Sequence, residues 1–429
     1  MSMGEQEDND KMRGGSGGTG SPETRESVVV DGARAGYRLF VVAGEHSGDA
    51  LGGKLMEVLN QRLTGRVRYL GVGGENMARQ GLVSQFPLED VAVMGPMSIL
   101  PRLPRIVKRI YQTVDAAVSA EPDAVIIIDS PEFTHPIAKR IRQRRPDIPI
   151  IDYVSPTVWA WRPGRARKMR RYVDHLLALL PFEPAAHARL GGPATTYVGH
   201  PLIERLDWLE GLDAEELEQR LGLQPGRAVL VVLPGSRSSE VSRLLVPFGE
   251  TVSLLRERGH ELEVVIPVVS SVRSLVEGAV AGWPLKPHLV SGDEDKFKAF
   301  KLARAALAAS GTVTLELALA GTPMVVGYKV DAVAANLRFL VKVPSVVLAN
   351  LVLDETVFPE FIQEACEPTI LAGAVEALFN DTAERKAQLE ALGRIAGKMQ
   401  IDGPSPSEAA ADVVVGVLEE SATGRPADS

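Results

Sequence analysis

The sequence predicts an α/β protein of two doubly wound, Rossmann-like domains facing each other across a cleft. Three observations carry that expectation. Short β-branched apolar runs alternate with stretches of helical period, the rhythm of βαβ units. The runs lack polar alternation, most plainly Ala-Val-Ile-Ile-Ile at 124 to 128, which suits parallel strands covered on both faces. The rhythm pauses once, over a charged stretch of helical period from Pro201 to Gly226, and then resumes.

Taken in order, residues 1 to 36 are polar and Gly-rich without the apolar core of a secretory signal, so a disordered tail is expected there. Strands are expected at Tyr37 to Ala43, Arg68 to Val72, Ala124 to Asp129, Ile148 to Val154, His175 to Leu180 and Thr196 to Val198, filling a first domain at 37–200. A second domain, 201–368, takes strands at Ala228 to Leu233, Leu262 to Ile266, Ala305 to Ala309, Met324 to Val326 and Ser345 to Leu348. Helices follow over 369–420, then a second disordered tail at 421–429.

The chain has 429 residues, two to three times an ordinary domain of about 100 to 200, so two domains sharing a cleft are affordable. With 45% hydrophobic and 24% charged residues it is an ordinary globular composition, neither fibrous nor wholly disordered. A single cysteine, Cys366, excludes an intrachain disulfide and a Cys-rich zinc site. The net charge of −8 argues against a general nucleic-acid binder, which needs clustered cations. No apolar run approaches the roughly 20 residues needed to span a bilayer, and a cytoplasmic location is expected.

Two motifs are false leads. Gly15, Gly17 and Gly20 spell a dinucleotide fingerprint but follow no strand. Gly48, Gly53 and Lys54 imitate a phosphate-binding loop, yet Leu55 stands where a magnesium-ligating hydroxyl is required. The seven histidines show no metal-ligand spacing, and His200 between Gly199 and Pro201 reads as a turn residue.

In open parallel sheets ligands bind beyond the carboxyl ends of the strands, and the chemistry-bearing residues fall there. Pro234-Gly235-Ser236-Arg237 follows a strand and offers a hydroxyl, a guanidinium and free helix amides to an anion, although Arg237 could instead pair with Glu240. Ser310-Gly311-Thr312 opens a helix where backbone can approach a pyrophosphate, and Glu316, one turn in, suits ribose hydroxyls. Together they point to a nucleoside diphosphate. In the first half Glu45, Ser47 and Asp49 follow one strand while Asp129 and Glu132 follow another. A carboxylate there can take a proton from an attacking hydroxyl, and spacing does not choose among Glu45, Asp129 and Glu132. Met94, Met97, Ile99 and Leu100, followed by Arg102, Arg105, Lys108 and Arg109, combine apolar and cationic character, as do Trp159 and Trp161 before a second basic run. Such a rim suits an anionic lipid surface better than nucleic acid.

These segments carry a resemblance to the lipid A disaccharide synthase family, inverting glycosyltransferases. It is borne by Ala43-Gly44-Glu45-His46-Ser47-Gly48-Asp49, Val93-Met94-Gly95, Ile128-Asp129-Ser130-Pro131-Glu132-Phe133, Tyr153 to Trp161 and Leu180-Pro181-Phe182-Glu183. It continues through Val198 to Pro201, Leu233 to Arg237, Ser310 to Thr312 with Glu316, Val325 to Tyr328 and Asn350-Leu351. The resemblance implies a GT-B arrangement without a bound metal or other cofactor. It implies transfer from UDP-2,3-diacylglucosamine to the 6-hydroxyl of 2,3-diacylglucosamine 1-phosphate, in lipid A and lipopolysaccharide biosynthesis. Arg237, Ser236, Ser310, Gly311, Thr312, Glu316 and Asn350 then fall on the donor side, and Glu45, Ser47 and Asp129 on the acceptor and catalytic side. Peripheral contact with the inner membrane and a homodimer fit the same picture. His46, Thr134, Ser345 and Ala349 depart from the family pattern and affect acyl-chain or packing detail. The rival readings are another GT-B enzyme of UDP-sugars, either a peptidoglycan precursor transferase or an epimerase, and a noncatalytic membrane-binding scaffold.

Overall fold

A computed structural model describes residues 36–92, 102–330 and 343–423. Among these, one sheet consists of β1 (Tyr37–Ala43), β2 (Val67–Val72), β3 (Val83–Ser84), β4 (Ala124–Ile128), β5 (Ile150–Tyr153), β6 (His175–Ala178) and β7 (Ala194–Tyr197), ordered β3-β2-β1-β4-β5-β6-β7. The other consists of β8 (Ala228–Leu233), β9 (Leu262–Pro267), β10 (His288–Val290), β11 (Ala305–Ala308), β12 (Met324–Tyr328) and β13 (Glu360–Ile362), ordered β10-β9-β8-β11-β12-β13. Every pairing is parallel. The winding reverses after the first strand of each sheet, so the doubly wound expectation holds twice.

Both faces of each sheet are covered, as the unalternated apolar runs require. Leu39, Val41, Ile126 and Ile128 pack under Leu55, Met56 and Leu59 of the helix His46–Arg62 and under Val414 and Leu418 of the last helix, Pro406–Thr423. Phe40, Val42 and Ile127 face the helices Leu103–Ala120 and Pro131–Arg144 on the other side. The final helix therefore returns to the first sheet, after two helices, Pro368–Phe379 and Ala383–Met399, that pack with the second. Two contacts tie this return in place. Tyr197 donates its hydroxyl to the Met399 carbonyl at 2.6 Å, and Glu204 accepts from Lys54 Nζ at 2.5 Å and from the Ser407 amide at 2.8 Å.

The glycines that imitate a phosphate loop are there for packing. A Cβ at Gly48 would stand 3.1 Å from the Ile128 carbonyl oxygen, and one at Gly53 2.9 Å from Asn76 Cβ. Asp49, 2% exposed, accepts from the Gly74, Asn76 and Met77 amides and from the Asn76 side chain at 2.6–3.2 Å. It caps the short helix Glu75–Arg79, and its carboxylate is taken up by those bonds.

One expected strand is not a strand. Ser345 to Leu348 runs into the helix Leu348–Leu353, because Ser345 Oγ accepts from the Val347 amide at 3.0 Å and turns the chain locally. The edge strand lies later, at β13.

The Trp159 indole N–H is donated to Glu183 at 3.0 Å, its ring meets Phe182 edge-on at 5.1 Å, and it packs on the cluster that includes Leu180 and Leu209. Trp159 is partly buried, and its indole, bonded to a buried carboxyl, braces this turn. Glu183 Oε2 accepts the Leu179 and Leu180 amides, and nearby Ser155 meets His187 Nε2 at 2.8 Å.

Burial pushes the Glu183 carboxyl from 4.5 up to about 7, against the pull of Trp159 and the two amides. The folded chain thus holds a proton that the unfolded chain has lost, so this stabilisation is complete below about 4.5 and declines as pH rises to about 7. Burial lowers His187 and His200 to about 4, which acts in the opposite sense. The expected observation is therefore a difference: thermal unfolding of Glu183→Gln should gain on the parent protein as pH rises from 4.5 to 7.5, and parallel pH dependences would contradict it.

Candidate active site

At the carboxyl edge of the second sheet, β8 and β11 diverge around a cavity of about 730 Å³. Its size is that of a small-molecule site. β8 delivers the turn Pro234 to Arg237. Gly235 holds φ +111°, and a Cβ there would come 2.7 Å from Glu240 Cβ, so the turn needs glycine on both counts. Arg237 begins the helix Ser238–Glu257 and donates to Glu240 Oε1 at 3.1 Å. The pairing weighed against anion binding is thus formed, yet both partners line the cavity and the guanidinium is half exposed.

β11 delivers Ser310, Gly311 and Thr312 ahead of the helix Val313–Leu319. Gly311 has φ +152°, and the space a Cβ would fill is open. Ser310 donates to the Val346 carbonyl at 2.7 Å. Glu316, one turn in, accepts from Lys296 Nζ at 3.0 Å, and Lys296 also meets Asp293 at 3.2 Å. Ser236, Arg237, Ser310, Gly311, Thr312 and Glu316 all line the one cavity.

Asn350 does not join them. It is buried, its Oδ1 accepts the Val357 and Phe358 amides at 3.0 Å, and its Nδ2 donates to Ser345 Oγ and the Phe358 carbonyl. Those four bonds make it a brace for the loop that meets Ser310. Two cations of the cavity were not foreseen. Arg273, which donates to Ser291 Oγ at 2.9 Å, and Lys296 follow β9 and β10. Recognising β10 would have pointed to Lys296, four residues beyond the Ser291-Gly292 turn.

In the first sheet, β1 and β4 diverge in the same way. A Cβ at Gly44 would stand 2.5 Å from Ser130 Cβ, so glycine alone lets the two turns approach. Across that approach Ser47 Oγ donates to Asp129 Oδ2 at 3.0 Å. Asp129 (φ 54°) and Ser130 (φ 45°) are both left-handed, and Val154, just beyond β5, has φ 91°. Strained backbone of this kind concentrates at functional sites. The Asp129 turn is held by its own side chain, which accepts from the Ser130 amide at 2.7 Å, and by Thr134, which donates to the Asp129 carbonyl at 2.7 Å. Glu45, half-buried, precedes Ser47 at the helix start, and its carbonyl accepts the Asp49 amide. Glu132 is instead drawn into an exposed ion pair with Arg165 at 2.6 Å. Of the three carboxylates that spacing left open, Asp129 is the one hydrogen-bonded to the neighbouring turn.

On the proposed lipid side, Arg102 is exposed at the start of the helix Leu103–Ala120, and Arg105 reaches Asp90 at 3.4 Å. Trp161 lies under the Arg162 guanidinium at 4.6 Å. Met94, Met97, Ile99 and Leu100 lie outside the described residues.

A protein-family model described as lipid-A-disaccharide synthetase matches residues 39–412. A lipid-A-disaccharide synthase of Rhodopseudomonas palustris is 53% identical over 384 residues, 89% of this chain and 97% of that protein. One of Nitrobacter hamburgensis is 51% identical over 396 residues, 92% of this chain and 99% of that protein. Among solved structures, a putative UDP-N-acetylglucosamine 2-epimerase of Listeria monocytogenes superposes with TM-score 0.60 at 12% identity, covering 92% of this chain and all of the other. The UDP-GlcNAc 2-epimerase of Neisseria meningitidis gives 0.59 at 15%, covering 89% and all. These two share the GT-B fold and, at such identity, nothing more is drawn from them. A match running from β1 into the last helix, with relatives half identical over nearly their whole length, places the paired switch-point sites in a known setting: the chain belongs to the lipid-A-disaccharide synthase family of glycosyltransferases.

Proposed function

We propose that the chain condenses UDP-2,3-diacylglucosamine with 2,3-diacylglucosamine 1-phosphate, giving lipid A disaccharide 1-phosphate and UDP. The observation that carries this is the pairing of two edges: a hydroxyl-bonded carboxylate at Asp129 in the first sheet, and a cation-lined cavity of nucleotide size at Arg237 and Thr312 in the second. The acceptor's 6-hydroxyl oxygen attacks the anomeric carbon while its proton passes to Asp129, assisted by Glu45 and oriented by Ser47. The bond to the diphosphate breaks, and its electron pair leaves on UDP. Arg237 and the amides after Gly311 stabilise that charge, Arg237 exchanging Glu240 for phosphate oxygens. Glu316, released from Lys296, takes the ribose hydroxyls.

The acylated substrates also imply a membrane surface. The helix Leu103–Ala120 leaves Leu103, Val107 and Tyr111 exposed by 48%, 42% and 50%, one face at four-residue spacing, flanked by Arg102 and Arg105. Among the described residues no helix is long and apolar enough to cross a membrane, so this face supports contact from one side.

Three outcomes test the reading. Asp129→Asn should lower UDP release with both acylated sugars by about 100-fold or more, with UDP affinity retained; equal losses in both would remove its role. Arg237→Ala should weaken UDP binding by about 10- to 100-fold, the worth of a charge-assisted hydrogen bond. Val107→Glu combined with Leu103→Glu should reduce cosedimentation with anionic phospholipid vesicles while leaving UDP binding unchanged. Epimerisation of soluble UDP-GlcNAc without an acylated acceptor would favour the other enzyme reading.

A further inference from the structure

The cavity of the second sheet answers the charge of the nucleotide, but the acceptor proposed above carries a charge of its own. Its C1 bears a phosphate monoester, about −1.5 to −2 at neutral pH. In that sugar C1 and C5 flank the same ring oxygen, so the phosphate stands one ring's width from the attacking 6-hydroxyl. A cation that reads it has to lie beside the Asp129 turn.

A guanidinium is bonded to the helix that this turn opens. Glu132, three residues after Asp129 and in the first turn of Pro131–Arg144, accepts from Arg165 Nη2 at 2.6 Å. The pair is lopsided, because the Arg165 side chain is 23% exposed and that of Glu132 77%. Arg165 belongs to the helix Gly164–Met169, which is seated through Ala166 and Met169 in a cluster with Val158 and Leu176. The cation is thus held by packing, while the carboxylate can turn away into water. A pair open on one side is worth little, so a dianion accepting two parallel N–H bonds can take the place of Glu132.

A second guanidinium shares the turn. The Arg162 carbonyl accepts the Arg165 amide at 2.8 Å, and Arg162 is left-handed at φ 54°, a conformation that few side-chain-bearing residues adopt. Its guanidinium lies over the Trp161 ring at 4.6 Å, a contact that leaves its charge uncompensated, and it has no carboxylate partner among the described residues. Arg162, Arg165 and Glu132 together carry one net positive charge, and the site offers two once a ligand displaces Glu132.

We propose that Arg165, with Arg162 beside it, binds the acceptor's 1-phosphate and so selects a phosphorylated acylglucosamine over its dephosphorylated form. This rests on the transfer reaction proposed above. An ordinary phospholipid headgroup offers a diester with a single charge, whereas the monoester matches the two guanidinium groups, and Glu132 ties the site to the turn where the acceptor reacts.

The test measures UDP release by the full chain with two acceptors, 2,3-diacylglucosamine 1-phosphate and 2,3-diacylglucosamine. Arg165→Ala should cut the kcat/KM advantage of the first over the second by about 10- to 100-fold, the worth of a charge-assisted hydrogen bond, with the change in KM and UDP affinity retained. Equal losses on both acceptors, or an undiminished advantage, overturn the proposal. Glu132→Gln removes the competing carboxylate and should widen the same advantage about threefold. If Arg165→Ala fails to bind UDP and so to fold, a narrowed or unchanged advantage in Glu132→Gln overturns the proposal instead. Lost cosedimentation with phosphatidylglycerol vesicles in Arg165→Ala, with the acceptor advantage intact, assigns the pair to a headgroup and likewise overturns it. A parent protein that releases no UDP with either acceptor removes the transfer reaction itself, whereas release with an unmoved advantage in the variants removes only the phosphate site.

Discussion

The site depends on one steric condition, the closeness of two turns at the reversal of winding in the first sheet. β1 and β4 are hydrogen-bonded neighbours whose helices leave toward opposite faces, so the chain after each must diverge at once. Gly44 allows the Ser130 turn within a distance that any side chain would forbid, and the contact of Ser47 with Asp129 exists only at that distance. The left-handed backbone at Asp129 and Ser130, costing about 1–3 kcal/mol per residue, accompanies a turn that brings the carboxylate to Ser47.

The second sheet solves a different problem, holding cations at its edge on partly exposed carboxylate partners. Arg237 rests on Glu240, Lys296 on Glu316 and Asp293, and Arg273 on Glu277 and Ser291. Each pair is partly open to solvent, where such contacts are worth little, so exchanging the carboxylate for another anion costs little. The neighbouring loop is stiffened by hydrogen bonds. Ser310 bonds to Val346, Ser345 to Glu360, and Asn350 to Ser345 and Phe358, a network that ties β11, the loop before the helix Leu348–Leu353 and β13 together.

How much of this was legible follows from what periodicity can carry. β1, β4 and β8 are long apolar runs and were readable outright. β3, β10 and β13 have two or three residues each, too few for alternation to register, and they are strands because a neighbour presents an unpaired edge. Ser345 to Leu348 has strand composition, but a serine hydroxyl bonding the backbone two residues on overrides it. The glycine and hydroxyl turns of the site were legible because each follows a recognisable strand. The partners of Asn350 and Trp159, the Phe358 backbone and the Glu183 carboxyl, were not legible, because residue type points to a ligand or a lipid and says nothing of which neighbour a loop brings close.

The return of the last helix to the first sheet means that the chain passes between the two lobes twice, after β7 and again after Met399. The passages lie side by side: a Cβ at Gly199 would stand 2.9 Å from Pro406, and Glu204 clasps the Ser407 amide. Two adjacent covalent connections between the lobes constrain their relative movement far more than one would: rotation about the line through both is the least opposed, and twist and shear are resisted. Lys54 and Glu204 sit beside that line.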